Sequence, residues 1–204
     1  MRRFCISLVV AIATASSGCY SYSNFQSAKL LEPGKVAFMP SASFNSFHVD
    51  GGYNGEVDDW VFDGQIRAGI TPWFEFGAKF SRIFVDDGYQ FSSIDPKLAL
   101  SPGLVAFSCP FGTFWGQGLE SDLQVHPTLL TTVPIEPGRV EMDAAFKVLL
   151  FFAEENQELI AFNVGPRLSS NLDRWAIQPE LGFLFNPDAD GYFFEFGIGF
   201  MVSP

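Results

Sequence analysis

A strict alternation of apolar and polar side chains constrains the fold of this chain more than any other feature. From Gly34 onward, apolar residues recur at every second position, and the three-to-four-residue spacing of a helix is hardly seen. Trp60 and Phe62, for example, share one parity, whereas Asp63 and Arg67 share the other. Because successive side chains of a strand point to opposite faces, the pattern predicts sheet with one apolar and one polar face.

The alternation is clear in seven segments and weaker in three more. The clear segments cover residues 60–71, 74–81, 94–101, 140–150, 160–168, 175–185 and 192–202, and the weaker ones lie near 35–48, 104–111 and 123–133. No apolar stretch after the N-terminal region is long enough for a spanning helix, which needs about 20 residues. The sequence therefore predicts an all-β fold of about ten strands, within a range of about eight to twelve.

The composition is more apolar than is usual for a soluble domain. Charged residues make up 17% of the chain and aromatic residues 16%, whereas soluble domains carry about 25% charged residues. Alternation alone does not say where the apolar face points. It could line the cavity of a soluble, lipocalin-like carrier of hydrophobic ligands, or it could face lipid on a membrane barrel.

The composition of the polar face favours the membrane barrel. Charged residues there alternate with small ones, which is what the narrow lumen of a small barrel accommodates. Many glycines would weaken a sheet whose polar face met water. The glycines assigned to the polar face are Gly64, Gly69, Gly77, Gly165, Gly182, Gly197 and Gly199.

The connections between strands alternate in kind, as they do in outer-membrane barrels. Short turns at 71–73, 101–103, 135–138 and 169–173 alternate with mostly longer connections near 50–59, 86–93, 112–122, 153–158 and 186–191, which hold thirteen acidic residues and no Lys or Arg. Trp60, Trp73, Trp115 and Trp175 fall near strand ends, as in aromatic girdles. We predict a transmembrane, antiparallel, up-and-down β-barrel in the bacterial outer membrane with both termini periplasmic.

The N-terminal residues resemble an export signal. Arg2 and Arg3 precede an apolar run of about twelve residues, followed by small residues. Two cleavage sites are possible: before Cys19, which would then be acylated, or after Ala15. The predicted organisation is a signal peptide at 1–18, a periplasmic leader at 19–33 and the barrel at 34–204.

The chain resembles bacterial outer-membrane β-barrel proteins, specifically small barrels with a short polar leader before the first strand. The run from Phe25 to Lys35 is similar to the "TA-x-x-L-x-x-G-K" entry of such proteins, and the barrel pattern covers nearly all of residues 34–204. The resemblance implies recognition by the barrel assembly machinery. These proteins usually end on an aromatic residue, whereas this chain ends Phe200-Met201-Val202-Ser203-Pro204, so the internal run to Phe200 would carry that signal.

Charged residues on the polar face are the main candidate site. We predict that they form ion pairs that fill and plug a narrow lumen, with an open path for small solutes as the alternative. The predicted lumen charges are Asp63, Arg67, Glu75, Lys79, Asp95, Lys97, Glu141, Asp143, Lys147, Arg167, Glu180 and Glu195. Arg82 is the cation on the lipid-facing parity, and it could snorkel or turn inward at a bulge.

Other functions find less support in the sequence. An enzyme on envelope lipids or peptides would need a rim histidine, and His48 and His126 are weak candidates. The net charge of −11 with only twelve Lys and Arg argues against nucleic acid. No cofactor or metal site is predicted, although acidic loops could bridge through divalent cations to lipopolysaccharide. The chain has three cysteines, Cys5, Cys19 and Cys109, and Cys5 lies inside the predicted signal peptide, so the mature chain has no disulfide framework. Cys109 is predicted to be an ordinary apolar side chain.

Overall fold

The computed structural model describes residues 22–48, 58–84, 89–116, 119–152, 158–187 and 192–204, and these form strands and connections only. No helix long and apolar enough to cross a membrane occurs among them. The strands are β1 Val36–His48, β2 Asp58–Thr71, β3 Phe74–Phe84, β4 Tyr89–Ser101, β5 Val105–Ser108, β6 Phe111–Gly116, β7 Leu119–Val125, β8 Thr128–Glu136, β9 Val140–Phe151, β10 Glu158–Leu168, β11 Trp175–Phe185 and β12 Tyr192–Val202.

These strands form one closed antiparallel barrel, because β12 pairs with β1 and every other strand also pairs on both sides with other strands of the sheet. Two of the barrel's strands are interrupted. The β4 strand pairs with both β5 and β6, and β9 pairs with both β7 and β8. The consecutive strands β5 and β6 therefore act as one strand of the barrel wall, and so do β7 and β8. The predicted number of about ten strands is therefore confirmed.

Proline explains both interruptions. The breaks fall at Cys109-Pro110 and His126-Pro127, and proline has no N–H to give to the strand ladder. Pairing still continues past the breaks, because Cys109 N donates to Pro96 O at 3.1 Å and His126 N donates to Pro110 O at 2.8 Å.

The apolar strand faces point outward and the polar faces point into the lumen. On β2, Phe62 is 51% exposed and Asp63 is 6% exposed; on β12, Ile198 is 51% exposed and Glu195 is 1% exposed. The predicted all-β, antiparallel, up-and-down barrel with an apolar outer face is confirmed. The alternative in which the apolar strand faces line a cavity is wrong, because those faces form the outer surface.

Short turns gather at one end of the barrel, which we call the turn end; the opposite end is the loop end. Three of the turns share a Pro-Gly centre, at 32–35, 101–104 and 136–139. In each, the fourth residue's N–H donates to the first residue's carbonyl at 3.0 Å, and the glycine has a positive φ, at Gly34, Gly103 and Gly138. Such turns are of type II, which places proline second and a left-handed residue third.

Both ends of the barrel wall meet at the turn end. The Ser203 N–H, just after β12, donates to Arg174 O at 2.7 Å, and the Ser203 hydroxyl donates to Val36 O, at the start of β1, at 2.9 Å. The entry to β1 and the end of β12 are thus adjacent, as an even number of strands requires.

The loop end differs from the prediction in two places. Strand β4 already begins at Tyr89, and β6 and β7 leave only residues 117–118 between them, so the long connections predicted at 86–93 and 112–122 are wrong. The inward residues there include the apolar Phe91 and Phe114, both 4% exposed, which interrupts the polar-inward pattern that marks the strands elsewhere.

The prediction that Gly64 lies on the polar face is wrong. Gly64 pairs with Pro40 between the inward residues Asp63 and Gln65, so it lies on the outer surface. The remaining glycines assigned to the polar face are on the lumen side.

Candidate functional site in the barrel lumen

The chain before β1 lies inside the barrel. Each residue from Tyr22 to Ala28 is at most 7% exposed. We call residues Tyr22–Leu31 the lumenal segment. The prediction had a leader at 19–33 outside the barrel, whereas the structure has the chain turning at 32–35 and running back through the lumen, with Tyr22 at its far end.

Carboxylates and a hydroxyl of the wall accept the segment's main-chain N–H groups. Glu180 on β11 accepts from Asn24 N at 2.6 Å and from Phe25 N at 2.8 Å. Thr132 Oγ1 on β8 accepts from Ala28 N at 2.7 Å. Glu75 Oε2 on β3 accepts from Leu31 N at 2.7 Å.

Lysines and one amide of the wall donate to the segment's carbonyl groups. Lys147 Nζ donates to Tyr22 O at 2.8 Å, and Lys79 Nζ donates to Ser23 O at 3.1 Å. Lys97 Nζ lies 3.3 Å from Ser27 O and 3.4 Å from Lys29 O, and Gln65 Nε2 donates to Asn24 O at 3.2 Å. Ionised partners make these bonds stronger than neutral ones, so much of the wall's charge serves the peptide groups of the segment.

The contact of Glu180 explains an unusual backbone conformation. Phe25 has a φ of 45°, a left-handed value that costs a non-glycine residue about 1–2 kcal/mol. That conformation aims two successive N–H groups, of Asn24 and Phe25, at one carboxylate, which is the geometry of an anion-binding nest. The two hydrogen bonds to the Glu180 carboxylate stabilise its buried charge and offset the strain at Phe25.

Four inward glycines mark the path of the segment through the lumen. A Cβ on Gly197 would lie 2.6 Å from Phe25 Cζ, and one on Gly199 would lie 2.9 Å from Phe25 Cδ1. A Cβ on Gly182 would lie 3.0 Å from the Tyr22 ring, and one on Gly69 would lie 2.2 Å from Glu32 O. These glycines leave space for the segment. The sequence by itself explained them only by the narrow lumen of a small barrel.

Apolar side chains form a layer across the lumen on the loop side of the segment. Tyr22 packs into this layer. The layer consists of Tyr22, Val61, Ile83, Phe91, Phe114, Leu149, Leu159, Ala161 and Leu184, with Tyr89, Phe151 and Phe193 against it. Apart from Tyr22, its buried residues come from β2, β3, β4, β6, β9, β10 and β11, so they lie on most sides of the lumen.

All twelve predicted lumen charges point into the barrel. The structure brings eight of them together in ion pairs, which are Arg67 with Glu75 and Asp95, Lys97 with Glu75, Lys79 with Asp63, and Arg167 with Glu141. The other charges have different neighbours. Asp143 accepts from Thr132 Oγ1 at 2.5 Å, and Glu195, 1% exposed, pairs across the strands with Asn45 and Gly182.

One ion pair spans three strands. Arg67 on β2 reaches over β3 to Asp95 on β4, with the two atoms 2.5 Å apart. Gly77 lies between them in the register, and a Cβ there would lie 2.9 Å from Arg67 Nη1. The glycine therefore lets the guanidinium lie flat on the wall.

The lumenal segment also contributes charge. Lys29 forms an ion pair with Glu141, which Arg167 contacts from β10. Sequence reasoning missed this lysine because it lies outside the alternating strands. The signals that could have found the segment are the surplus of inward glycines and the Pro33-Gly34 turn, which reverses the chain just before β1.

A cavity of about 550 Å³ lies between the segment and the turn end. Its lining includes the buried cations Arg67, Lys97 and Arg167 and the carboxylate of Glu75. Because these cations already contact carboxylates or carbonyls, the cavity is a polar vestibule to the filled lumen.

The weaker candidates have separate surroundings. His126 is buried, stacks on Phe91 with ring centroids 5.5 Å apart, and lies 3.1 Å from Gln124 Oε1. His48 ends β1 opposite Tyr192. Cys109 is a half-buried free thiol beside the first strand break. Cys19 lies outside the described residues.

Arg82 points outward, with its guanidinium carbon 5.3 Å from the centre of the Phe84 ring, so the alternative of an inward bulge is wrong. Among the described residues, no group of three or more His, Cys, Asp or Glu side chains could hold a metal ion.

Comparison with solved structures finds other β-barrels at very low sequence identity. The translocator domain of the autotransporter NalP from Neisseria meningitidis has a TM-score of 0.49 at 7% identity, over 98% of this chain and 95% of that one. An outer membrane channel from Pseudomonas putida F1 has a TM-score of 0.49 at 10% identity, over 89% and 100%. Ail, the attachment invasion locus protein of Yersinia pestis, has a TM-score of 0.40 at 11% identity, over 84% and 99%. No protein-family model and no curated protein sequence matches the chain.

Proposed function

We propose that this protein is a bacterial outer-membrane barrel that is closed by its own N-terminal segment and has a structural or surface role without catalysis. The observation that carries the proposal is the seating of residues 22–31 inside a barrel whose outer face is apolar. The apolar outer face supports a location in the membrane, and the seated segment supports closure of the barrel.

The outer face supports insertion in a bilayer. Large apolar side chains are exposed along the strands, and the uninterrupted strands are 11 to 14 residues long. A tilted strand of about 9–11 residues spans a membrane, so these strands are long enough. Trp60 and Trp73, both more than half exposed, lie near opposite ends of the wall, where girdle residues meet the interface. Lipid is the partner that this surface fits.

The filled lumen supports closure. The segment and the apolar layer around Tyr22 cross the barrel between the turn end and the loop end. Permeation of solutes would require the segment to leave. The alternative of a rim enzyme would have to use His126 in a buried position, stacked on Phe91 and beside Gln124.

We place the turn end in the periplasm, as in other barrels with short turns on that side. This proposal puts the start of β1 and the end of β12 on the side of the assembly machinery. The acidic connections would then face outward, where divalent cations could bridge them to lipopolysaccharide.

The seated segment constrains the proposed acylation of Cys19. That residue precedes Tyr22 by three residues, which span at most about 11 Å. Tyr22 contacts Lys147, which is seven residues along β9 from Val140, or about 16 Å of height for a strand tilted by about 45°. An acylated Cys19 would therefore leave little spare chain between Tyr22 and the periplasmic leaflet while the segment is seated. Incorporation of labelled palmitate, compared with Cys19→Ser, distinguishes the acylated N-terminus from cleavage after Ala15.

Two measurements test the proposal. In the first, envelope protein is partitioned in detergent and run on a gel with and without boiling; a folded membrane barrel enters the detergent phase and shifts in mobility when boiled. Protein in the aqueous phase without a shift would contradict membrane insertion.

The second measurement is conductance across planar bilayers, with the segment locked in place as the control. Ser27 Oγ and Thr132 Oγ1 lie 3.1 Å apart, so Ser27→Cys with Thr132→Cys, in a Cys109→Ser background, can form a disulfide between segment and wall. We expect no steady conductance from either the wild type or the cross-linked protein. A steady current through the wild type that the cross-link abolishes would contradict resting closure.

A further inference from the structure

The wall recognises the lumenal segment mainly through its main chain. Nine of the wall contacts described above are to peptide N–H or C=O groups of residues 22–31, made by Glu75, Glu180, Thr132, Gln65, Lys79, Lys97 and Lys147. Main-chain contacts are available to peptides of different sequence, and side-chain pockets then supply the selectivity.

We propose that the lumen is a binding site for a peptide without regular secondary structure, which the chain's own N-terminal segment occupies and which a separate peptide can occupy in its place. The inference deepens the proposed closure and rests on the seated segment. The ligand class is a peptide of about ten residues that can adopt a left-handed conformation at the position of Phe25.

Charges of the wall favour an occupied lumen. Glu180 is buried, and its two described hydrogen bonds are to main-chain N–H groups of the segment. Lys147 is buried as well, and its described hydrogen bond is to Tyr22 O. Removing the segment takes away these partners, so water or another peptide has to replace the lost hydrogen bonds. A replacement peptide restores both sets of bonds.

Two aromatic pockets define which peptides fit. Phe25 lies against Gly197 and Gly199, and Tyr22 lies against Gly182 and in the apolar layer. Between and beyond them, Ser23, Ser27 and Ala28 are small and buried. We expect the site to select a peptide with two aromatic residues three positions apart and small or polar residues around them.

The covalent link of the segment to the barrel runs through the exposed turn at 32–35. A linked segment acts at an effective concentration in the millimolar range, so a free peptide cannot compete with it in the intact chain. Cutting this link removes that advantage without changing the wall.

The test uses the full chain with a specific protease site inserted between Gly34 and Lys35 and folded in detergent. A fluorescent synthetic peptide of residues 22–31 is added before and after cleavage, and its binding is followed by anisotropy. We expect binding only after cleavage. Glu180→Gln in the wall should weaken it by about tenfold or more, because one acceptor of the double contact is lost, whereas Glu136→Gln in an exposed turn should not change it.

Variants of the peptide leave the barrel untouched and guard against a misfolded wall variant. Phe25→Ala in the peptide should weaken binding by about tenfold or more, and Ser23→Ala by less than about threefold. The inference is overturned if cleaved barrel that still shows the mobility shift takes up no peptide, or takes up a scrambled peptide equally well. Conductance of the uncut protein reports on closure separately, so the two proposals can fail independently.

Discussion

At the scale of single residues, the polar network of this barrel depends on positions without side chains. Arg67 contacts both Glu75 and Asp95. It reaches Asp95 because Gly77, which lies between Arg67 and Asp95 in the register, leaves room for the guanidinium. Arginine can join two carboxylates because its planar fork offers several donors in fixed directions. The same principle applies to Phe25, whose ring occupies the space above Gly197 and Gly199.

The Gly77→Val substitution tests this dependence. A valine side chain would displace the Arg67 guanidinium from Asp95 and leave buried charges poorly paired, which we expect to lower the free energy of unfolding by about 3 kcal/mol. The measurement is thermal unfolding in detergent, followed by the mobility of unboiled samples.

The matched control is Gly64→Val on β2. Nothing lies within 4 Å of a Cβ at Gly64, which is on the outer face, so this valine should leave the unfolding temperature unchanged. Equal losses in the two variants would refute the proposed role of Gly77.

At the scale of elements, proline shapes both the turns and the breaks. It occupies the second position of three turns at the turn end, and it interrupts β5/β6 at Pro110 and β7/β8 at Pro127. Each of those broken strands still completes the wall because its two halves pair with the same neighbour, β4 or β9.

The third position of these turns requires a left-handed residue. Gly138 has a φ of 78°, so Gly138→Val should cost about 1–2 kcal/mol of stability. Gly138→Asn should cost clearly less, since asparagine tolerates the left-handed region. Urea unfolding in lipid vesicles gives both values. A valine variant as stable as the asparagine variant would show that the turn rearranges.

At the scale of the whole molecule, the barrel is an inside-out protein with a peptide core. Apolar side chains face outward along the strands, while the lumen is filled by wall charges, an apolar layer and the lumenal segment. Each group in the lumen has a different role in closure: the apolar layer packs Tyr22, and the charges hold the main chain.

Depth in the bilayer should determine how well the outer face accepts charge. Ile198 lies near the middle of β12 and Val202 lies at its turn-end terminus. We expect Ile198→Arg to cost about 2–4 kcal/mol and Val202→Arg about 0–1 kcal/mol, because only the terminal residue reaches the interface. Refolding yield and urea midpoint in vesicles measure both. If the two substitutions cost the same, β12 does not lie across the membrane as proposed.

The sequence by itself determined the period-two pattern, the number of strands, the outward direction of the apolar face and the identity of the twelve inward charges. These follow from side-chain alternation, which is local and is visible in Trp60 to Arg67 without any tertiary information. Two loop-end connections were predicted too long, because Phe91 and Phe114 point inward where the pattern expects polar residues.

Only the tertiary structure decided what the inward charges hold. Lys147 on β9 and Glu180 on β11 contact Tyr22, Asn24 and Phe25, which precede them by more than a hundred residues. The lumenal segment has no alternation to mark it, since every residue from Tyr22 to Ala28 is enclosed on all sides by the barrel. Its position follows from closure of the wall around it, and periodicity along the chain contains no information about what a closed wall surrounds.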